Sequence, residues 1–252
     1  CVNPACACVS SGFLPLSYPS SSRMRSALIV FAKVPRPGSV KTRLTPVLTP
    51  QEAARLYDAF LRDALAQYQA LNGHAFDLDV RLYLSPPFAP SECGFIPDAV
   101  SVHEQHGEGL GTRMRNAFSD TLSAGYDAAC IIGTDHPTLP SAFIRQAFRA
   151  LESPKALCIG PSDDGGYYLL GMNAFYPQVF SDMTYSHPRV FANTLARTDR
   201  IDATLTVLPH WYDVDTPQML RRMLDDLDTS PVDAPCTRRA VDSLSLRALQ
   251  ES

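Results

Sequence analysis

Short apolar runs alternate along this chain with longer segments whose apolar residues recur at helical spacing. The first run, residues 27–32 (ALIVFA), is continuous, as in a strand buried on both faces of a parallel sheet. A helical stripe over residues 53–68 follows, opened by Thr49 and Glu52 in the pattern of a capping box. The alternation predicts an α/β fold with three layers, α/β/α, around a mostly parallel central sheet.

The same patterns place the remaining elements. We predict further strands over residues 78–84, 128–132, 156–159, 167–172 and 204–208, and helices over 109–124, 141–151, 188–197 and from Thr216 onward. We expect residues 26–228 to form one domain. Residues 1–25 have low-complexity composition and are expected to be disordered or a mis-annotated extension before Met24, and residues 229–252 a C-terminal tail with one marginal helix.

Composition narrows the function classes. The net charge of −4 argues against broad binding of a nucleic-acid backbone, although a local cationic loop could still hold a small anion. No run of about 18 apolar residues predicts a membrane span. The seven cysteines, including Cys1, Cys6 and Cys8, are odd in number and irregular in spacing, so we expect no disulfide framework and a cytoplasmic location.

Ligands of such sheets bind beyond the carboxyl ends of the strands, and the first polar cluster lies there. It is the cationic loop, residues 33–43 (KVPRPGSVKTR), directly after the first predicted strand. Its prolines and glycine fix the backbone and allow close approach to a ligand. It is not a Walker A loop, and a solvated basic loop is the alternative. We expect it to hold a diphosphate through Lys33, Arg36, Lys41 and Arg43.

Aspartates form the second and third clusters. Asp135 follows the predicted strand 128–132, where a carboxylate can accept from a ribose hydroxyl, bind a metal or simply cap a turn. Asp213 and Asp215 are two residues apart, so in an extended chain they point to one side and repel unless a cation lies between them. Mg²⁺ or Mn²⁺ beside a diphosphate would relieve that repulsion, which makes Asp135, Asp213 and Asp215 the candidate metal ligands.

A flanking turn, residues 163–166 (DDGG), completes the candidate site. Asp163 and Asp164 are adjacent and face different ways, so at most one belongs in a site. Gly165 and Gly166 permit close approach of a bound nucleotide, and an acidic turn between strands is the alternative. The segment GEGLG at residues 107–111 has the spacing GxGxG rather than GxGxxG, so we discount a dinucleotide cofactor.

Five segments of the chain together resemble a family of bacterial GT-A-type transferases, domain of unknown function 2064. The segments are LIVFAKVPRPGSVKTRL, GEGLGTRM, IIGTDHPTLP, GPSDDGGYYLLG and WYDVDTPQML. That family is associated with radical-SAM genes and with glycosyltransferases of arsenosugar biosynthesis. It is also similar to nucleotidyltransferases of the molybdenum-cofactor and phospholactate-guanylyl type. The resemblance, from about Leu28 to Leu227, implies the GT-A (nucleotide-diphospho-sugar transferase) fold. It also implies phosphate binding by the four cations, nucleotide or metal binding by Asp135, and metal binding by Asp213 or Asp215.

Two departures from the family concern the acceptor pocket. His136 stands where the family usually has a cysteine, and residues 185–188 (YSHP) replace a Trp-Ser-Thr-Pro-like stretch. Both departures would alter the part of the pocket that receives the acceptor. The resemblance therefore does not indicate which acceptor this chain uses.

We expect a Mg²⁺- or Mn²⁺-dependent glycosyltransferase that uses a nucleotide-diphosphate sugar and a small-molecule acceptor. Asp164 would position or deprotonate the acceptor, while Lys41 and Arg43 would stabilise the leaving diphosphate. The alternative is nucleotidyl transfer from an NTP, in which Lys41 and Arg43 grip the β- and γ-phosphates and pyrophosphate leaves. A third hypothesis is a non-catalytic nucleotide-binding protein. The sequence leaves the oligomeric state open.

Overall fold

The structure, a computed structural model, describes residues 23–73, 77–229 and 231–250. Most of the expected N-terminal extension, with Cys1, Cys6 and Cys8, lies outside the described residues. Within them, a seven-stranded sheet lies between layers of helices. The predicted three-layer α/β/α architecture with a mostly parallel sheet is therefore confirmed.

The secondary structure follows the predicted alternation closely. The strands are β1 (Arg25–Ala32), β2 (Asp77–Leu84), β3 (Ser101–Glu104), β4 (Ala128–Ile132), β5 (Ala156–Pro161), β6 (Tyr167–Met172) and β7 (Thr204–Val207). The α-helices are α1 (Pro50–Gln69), α2 (Gly109–Ser123), α3 (Ser141–Ala150), α4 (Val190–Thr198), α5 (Pro217–Thr229) and α6 (Pro235–Ser243).

The strand order is β3-β2-β1-β4-β6-β5-β7, and every neighbouring pair is parallel except those that include β6. The short turn between β5 and β6 makes β6 antiparallel, because so few residues cannot form the crossover that a parallel pair needs. The other six strands all end at one edge of the sheet. The cationic loop, Asp135, and the turn containing Asp164 leave that edge after β1, β4 and β5.

Alternate residues of β1 enter the two main cores. Leu28 and Val30 pack with α1 and α3 on one face of the sheet, and Ala27 and Ile29 pack with α2 on the other. This matches the near-continuous apolar run expected of a central parallel strand. Helices α5 and α6 form a third core with the outer side of α1. No helix in the described part of the chain is long and apolar enough to cross a membrane.

The first turn of α1 was predicted from its sequence, whereas strand β3 was not. The predicted capping box is confirmed, since the Thr49 side chain accepts from the Glu52 backbone N–H and the Glu52 carboxylate accepts from the Thr49 N–H. Strand β3 was not predicted. Its four residues form a mostly exposed strand with no apolar alternation, so only pairing with β2 reveals it.

The segment after Asp228, predicted as a tail with one marginal helix, contains α6, which packs on α1. Asp63, buried on α1, accepts hydrogen bonds from the backbone N–H groups of Cys236 (2.9 Å) and Thr237 (2.6 Å). These are first-turn amides of α6, which otherwise lack partners. Asp63 therefore caps α6 from a different helix.

Removing this cap should loosen α6. We expect Asp63→Ala to lower the free energy of unfolding by about 2 kcal/mol, because two buried amides lose a charged acceptor. Asp58→Ala is the matched control on the same helix, since its partly exposed ion pair with Arg62 should contribute at most about 0.5 kcal/mol. Urea unfolding measures both variants, and equal losses would contradict the capping role.

Candidate functional site

A cleft of about 890 Å³ opens at the carboxyl edge of the sheet. Its lining comes from the loops after β1, β2, β3, β4 and β5 and from the segments 185–188 and 213–215. The Val214 N–H donates to the Asp135 carbonyl (2.8 Å), and the Asp163 N–H donates to the Trp211 carbonyl (3.0 Å). These bonds tie the 211–215 segment to the loops after β4 and β5. The three predicted clusters consequently surround one cavity.

Lys41 lies at the centre of the charged groups. Its ammonium Nζ is 2.5 Å from Asp135 Oδ1 and 2.9 Å from Asp215 Oδ1. The lysine side chain is only 2% exposed, whereas the carboxylates are 42% and 39% exposed. Burial opposes the charge on Lys41, but the two carboxylates outweigh burial and raise the pKa of Lys41 above its usual value. The ammonium therefore stays charged beneath two aspartates that face the cleft.

Asp213 and Asp215 have different partners. The Asp215 N–H donates to the Asp213 carbonyl (3.0 Å), a tight turn that breaks the extended geometry on which convergence was predicted. The Ser162 hydroxyl donates to Asp213 Oδ2, and His136 Nδ1 is 3.5 Å from Asp213 Oδ1. Burial favours the neutral acid, but His136, Ser162 and the Lys41 charge together hold the pKa of Asp213 below its usual value.

His136 is a buried residue at the base of the cleft. Its side chain is 2% exposed, and its Nε2 is 3.4 Å from the Tyr68 hydroxyl. The ring therefore connects the loop after β4 to Asp213 on one side and to α1 on the other. Its place beside Asp213 makes it a positioning group for that carboxylate, and no free face of the ring extends into solvent.

The turn after β5 separates its two aspartates as predicted from their adjacency. Asp164 lines the cleft, and its Oδ1 accepts from the Gly166 N–H (2.8 Å). Asp163 points away and pairs with Arg222 (2.7 Å). Gly165 has φ +85°, and a Cβ there would be 2.1 Å from the Pro188 carbonyl oxygen. The turn thus holds Asp164 at the cleft while packing against the 185–188 segment.

Gly165 should not tolerate a side chain. We expect Gly165→Ala to lower the free energy of unfolding by at least about 1 kcal/mol more than Gly73→Ala, because overpacking adds to the backbone strain. Gly73 is the matched control, since its φ is also +85° and no atom of the described residues would lie within 4 Å of its Cβ. Thermal or urea unfolding compares the two variants, and similar losses would show that the Pro188 contact is unimportant.

The cationic loop divides between two surfaces. Lys33, Lys41 and Arg43 line the cleft. Arg36 does not, because its guanidinium forms two hydrogen bonds with Glu92, of 2.7 and 2.5 Å, which lower the pKa of Glu92 to about 2. Arg36 instead lines an open groove of about 1020 Å³ between α1 and α6. Only three of the four predicted phosphate ligands are therefore together.

Three further cleft residues were not predicted. The Tyr57 hydroxyl accepts from the Lys33 backbone N–H (3.0 Å), and burial raises its pKa to about 12. Gln105 Nε2 donates to the Tyr83 carbonyl (2.8 Å), and Arg113 Nη1 donates to Ser85 Oγ (3.1 Å). Tyr57 was assigned to the helical stripe, and Gln105 follows the missed strand β3. The GEGLGTRM segment, which ends one residue after Arg113, was the available signal.

The carboxylates can accommodate a divalent cation in part. No three carboxylate, histidine or cysteine side chains within residues 23–73, 77–229 and 231–250 form a ready metal site. Asp135 and Asp215 nevertheless suit Mg²⁺ or Mn²⁺, since each contacts Lys41 through Oδ1 and has a second carboxylate oxygen, which in Asp215 lies 3.8 Å from Arg43 Nη1. Hard cations commonly take one or two carboxylates and complete their shell with water and substrate phosphates. Binding of Mg²⁺ or Mn²⁺ at this cleft therefore stays a prediction, and the carboxylate oxygens present are suitable ligands for it.

Residues 63–187 match the family described as "Uncharacterized protein conserved in bacteria (DUF2064)". That stretch includes Asp135 and Asp164 but neither Lys41 nor Asp215. No curated protein matches the chain. The family match therefore supports the central part of the resemblance that was predicted from about Leu28 to Leu227. It does not extend to the cationic loop or to the segment with Asp213 and Asp215.

Solved structures extend the likeness to most of the chain. A Desulfovibrio desulfuricans G20 protein, provisionally named a nucleotide-diphospho-sugar transferase, is 29% identical with a TM-score of 0.76, covering 87% of this chain and 96% of that one. A 4-diphosphocytidyl-2C-methyl-D-erythritol synthase is 12% identical (TM-score 0.52, coverage 82% and 99%). A CMP:2-keto-3-deoxy-manno-octonic acid synthetase complexed with CTP is 11% identical (TM-score 0.50, coverage 81% and 99%). The latter two show the fold alone. The chain has the nucleotide-diphospho-sugar transferase fold that its sequence predicted.

Proposed function

We propose that the protein is a nucleotide-dependent transferase that moves a sugar from a nucleotide-diphosphate donor to a small acceptor. The observation that carries the proposal is the buried Lys41 ammonium between Asp135 and Asp215, at the edge of the sheet where the cationic loop begins. Cations and carboxylates on one cleft suit a metal-bound diphosphate. The 29% identity to the provisionally named nucleotide-diphospho-sugar transferase supports the same reading. The association with radical-SAM genes and arsenosugar biosynthesis stays a prediction.

The cationic side of the cleft binds the donor diphosphate in this proposal. Arg43 is 71% exposed and can turn toward a phosphate with little loss, since its nearest carboxylate contact, Asp215 Oδ2, is 3.8 Å away. Lys33 is also exposed on the cleft, while Lys41 contributes a buried charge. Charges fixed where negative charge develops on the leaving diphosphate lower the barrier to its departure.

Asp135 and Asp215 would hold Mg²⁺ or Mn²⁺ together with phosphate oxygens. Such a cation, when bound, neutralises charge on the leaving diphosphate. Asp213 has a supporting role in this proposal, because its carboxylate is engaged by Ser162 and lies against the His136 ring. It keeps the loop that carries Asp215 in register with Asp135.

The acceptor would lie against the turn after β5. Asp164 is exposed, and among the residues that the structure describes it accepts through Oδ1, from the Gly166 N–H. Its Oδ2 is therefore available to accept a proton or a hydrogen bond from an acceptor hydroxyl. The 185–188 segment lines the same part of the cleft, and its Tyr185 packs on Gly111, where a Cβ would be 2.4 Å from the ring. This segment would shape the acceptor pocket.

Nucleotidyl transfer from an NTP is the second candidate. The specific observation in its favour is the fold shared with 4-diphosphocytidyl-2C-methyl-D-erythritol synthase and the CTP-bound synthetase. Lys41 and Arg43 would then grip the β- and γ-phosphates, and pyrophosphate would leave. The same residues serve both candidates, and the leaving group, a nucleoside diphosphate or pyrophosphate, distinguishes the two reactions.

Product identity tests the proposal. The protein is incubated with Mg²⁺ or Mn²⁺ and either NTPs or UDP-, GDP- and dTDP-sugars, with a panel of small hydroxyl and thiol acceptors. The proposal predicts release of a nucleoside diphosphate from one sugar donor, dependent on metal and on Asp164. Pyrophosphate release from an NTP would overturn glycosyl transfer in favour of the second candidate. Tight nucleotide binding without turnover for any acceptor would instead favour a non-catalytic role.

A further inference from the structure

We propose that the Lys41 ammonium occupies the place of the divalent cation between Asp135 and Asp215, so that metal binds only when nucleotide phosphates draw the ammonium away. This inference rests on the proposed function for the identity of the incoming phosphates. It goes further by assigning an order and a coupling to the two ligands. It also gives a buried lysine of the cationic loop a role before substrate arrives.

The geometry places the ammonium where a shared cation would lie. Nζ contacts one oxygen of each carboxylate, at 2.5 Å from Asp135 and 2.9 Å from Asp215. These two aspartates come from loops 80 residues apart in the chain. Lys41 contacts both of them, whereas Arg43 lies 3.8 Å from Asp215 Oδ2. A cation is needed there, because two adjacent carboxylates otherwise repel and one would take up a proton. In the apo protein the chain itself supplies that cation.

Simultaneous occupation is electrostatically unfavourable. A divalent cation held by the same two carboxylates would have to share them with the ammonium, and the buried Lys41 side chain is shielded from solvent screening. An ammonium has only donors, so it cannot enter the coordination shell of the metal. The site therefore favours either the ammonium or the metal, and a wild-type protein without nucleotide should bind Mn²⁺ weakly.

Phosphate offers the ammonium a new partner. Lys41 has three N–H donors, and its polar partners in the described part of the chain are Asp215, through a hydrogen bond, and Asp135, through an ion pair. A phosphate oxygen could therefore accept from a further N–H group. Lys41 also lines the cleft. Its backbone is left-handed (φ 49°, ψ 35°), an unfavourable conformation for lysine that its ion pairs help to hold. A diphosphate oxygen can thus take the ammonium and release carboxylate oxygens to the metal.

Such an exchange makes metal and nucleotide binding mutually reinforcing. Each ligand removes an obstacle to the other, and linkage requires that the factor be the same in both directions. Wild-type protein should consequently bind Mn²⁺ much more tightly with nucleotide than without it. A variant without the ammonium should lose this dependence, because no ammonium competes with the metal for Asp135 and Asp215.

The test uses Mn²⁺ alone on the full chain, followed by isothermal titration calorimetry. We expect Lys41→Met to bind Mn²⁺ at least tenfold more tightly than the wild type. Lys155→Met is the matched control, since Lys155 also has a left-handed backbone (φ 51°) and pairs with Asp202, but on the exposed surface. Its Mn²⁺ affinity should equal that of the wild type. The double variant Lys41→Met/Asp135→Asn should lose the gained affinity.

Thermal unfolding provides a second measurement in case Lys41→Met is unstable. Added Mn²⁺ should raise the unfolding midpoint of Lys41→Met, whose carboxylates lack the ammonium that joins them, and leave the wild-type midpoint unchanged. Tight Mn²⁺ binding by the wild type alone, or no gain in Lys41→Met by either measurement, would overturn the inference. Neither measurement uses nucleotide or turnover. A failure of the proposed transfer reaction is therefore distinguishable from a failure of this exchange.

Discussion

Asp215→Asn is expected to weaken metal-dependent nucleotide binding at least about 100-fold, because loss of a direct carboxylate ligand should exceed the 10–100-fold effects of outer-shell changes. The substitution removes the charge that Asp215 shares with Lys41 and leaves Asp135 as the remaining carboxylate of the pair. Titration of nucleoside diphosphate in the presence and absence of Mg²⁺ measures the effect. The loss should be confined to the metal-dependent part of the binding energy.

Asp163→Asn is the control for this variant. Asp163 has a similar exposure, 43% against 39%, and also pairs with a cation, Arg222, but it points away from the cleft. Its nucleotide affinity should match the wild type. If Asp215→Asn bound nucleotide and metal as the wild type does, the assignment of Asp215 to the metal would be wrong.

Lys41→Met is expected to lower turnover by about 100- to 1000-fold, the range seen when one fixed donor to a developing charge is removed. The methionine side chain fills a similar volume but carries no charge to the leaving phosphate. Arg43→Met should have a smaller effect, because Arg43 is 71% exposed and its charge is screened by solvent. Steady-state kinetics with saturating metal compares the variants. A Lys41→Met enzyme that kept more than about a tenth of wild-type kcat/KM would contradict a direct role in transfer.

Much of the fold was predictable because the central strands are continuous apolar runs in the sequence. The bounds of β4 and β6 match the predicted ranges, and β1 extends the prediction only by Arg25 and Ser26, because strands buried on both faces read as continuous apolar runs. The edge strand β3 has no such pattern, and the start of α4 at Val190 rather than Pro188 lies within the usual uncertainty of helix ends.

The sequence predicted most of the charged residues that line the candidate site, but not the ion pairs that they form. Strand-end topology correctly brought Lys41, Asp135 and Asp215 to one cleft. It could not show that Lys41 is buried between the two aspartates, since that depends on side-chain direction across three loops. Local spacing misled for Arg36, which lies in the cationic loop but pairs with Glu92 beyond it. Asp213 lines the same cleft as Asp215, but spacing could not show that its carboxylate accepts from Ser162.

The cleft at the carboxyl edge of the sheet should hold a nucleoside diphosphate and a divalent cation together. A crystal structure of the protein with Mn²⁺ and the best-binding nucleoside diphosphate tests it most directly, because anomalous scattering locates the manganese independently. We predict a manganese peak bound by Asp135 and Asp215, with the diphosphate against Arg43 and the Lys41 ammonium moved to a phosphate oxygen. A diphosphate bound in the groove beside Arg36, or a cleft in which Lys41 still joins both aspartates and no manganese is present, would contradict the account.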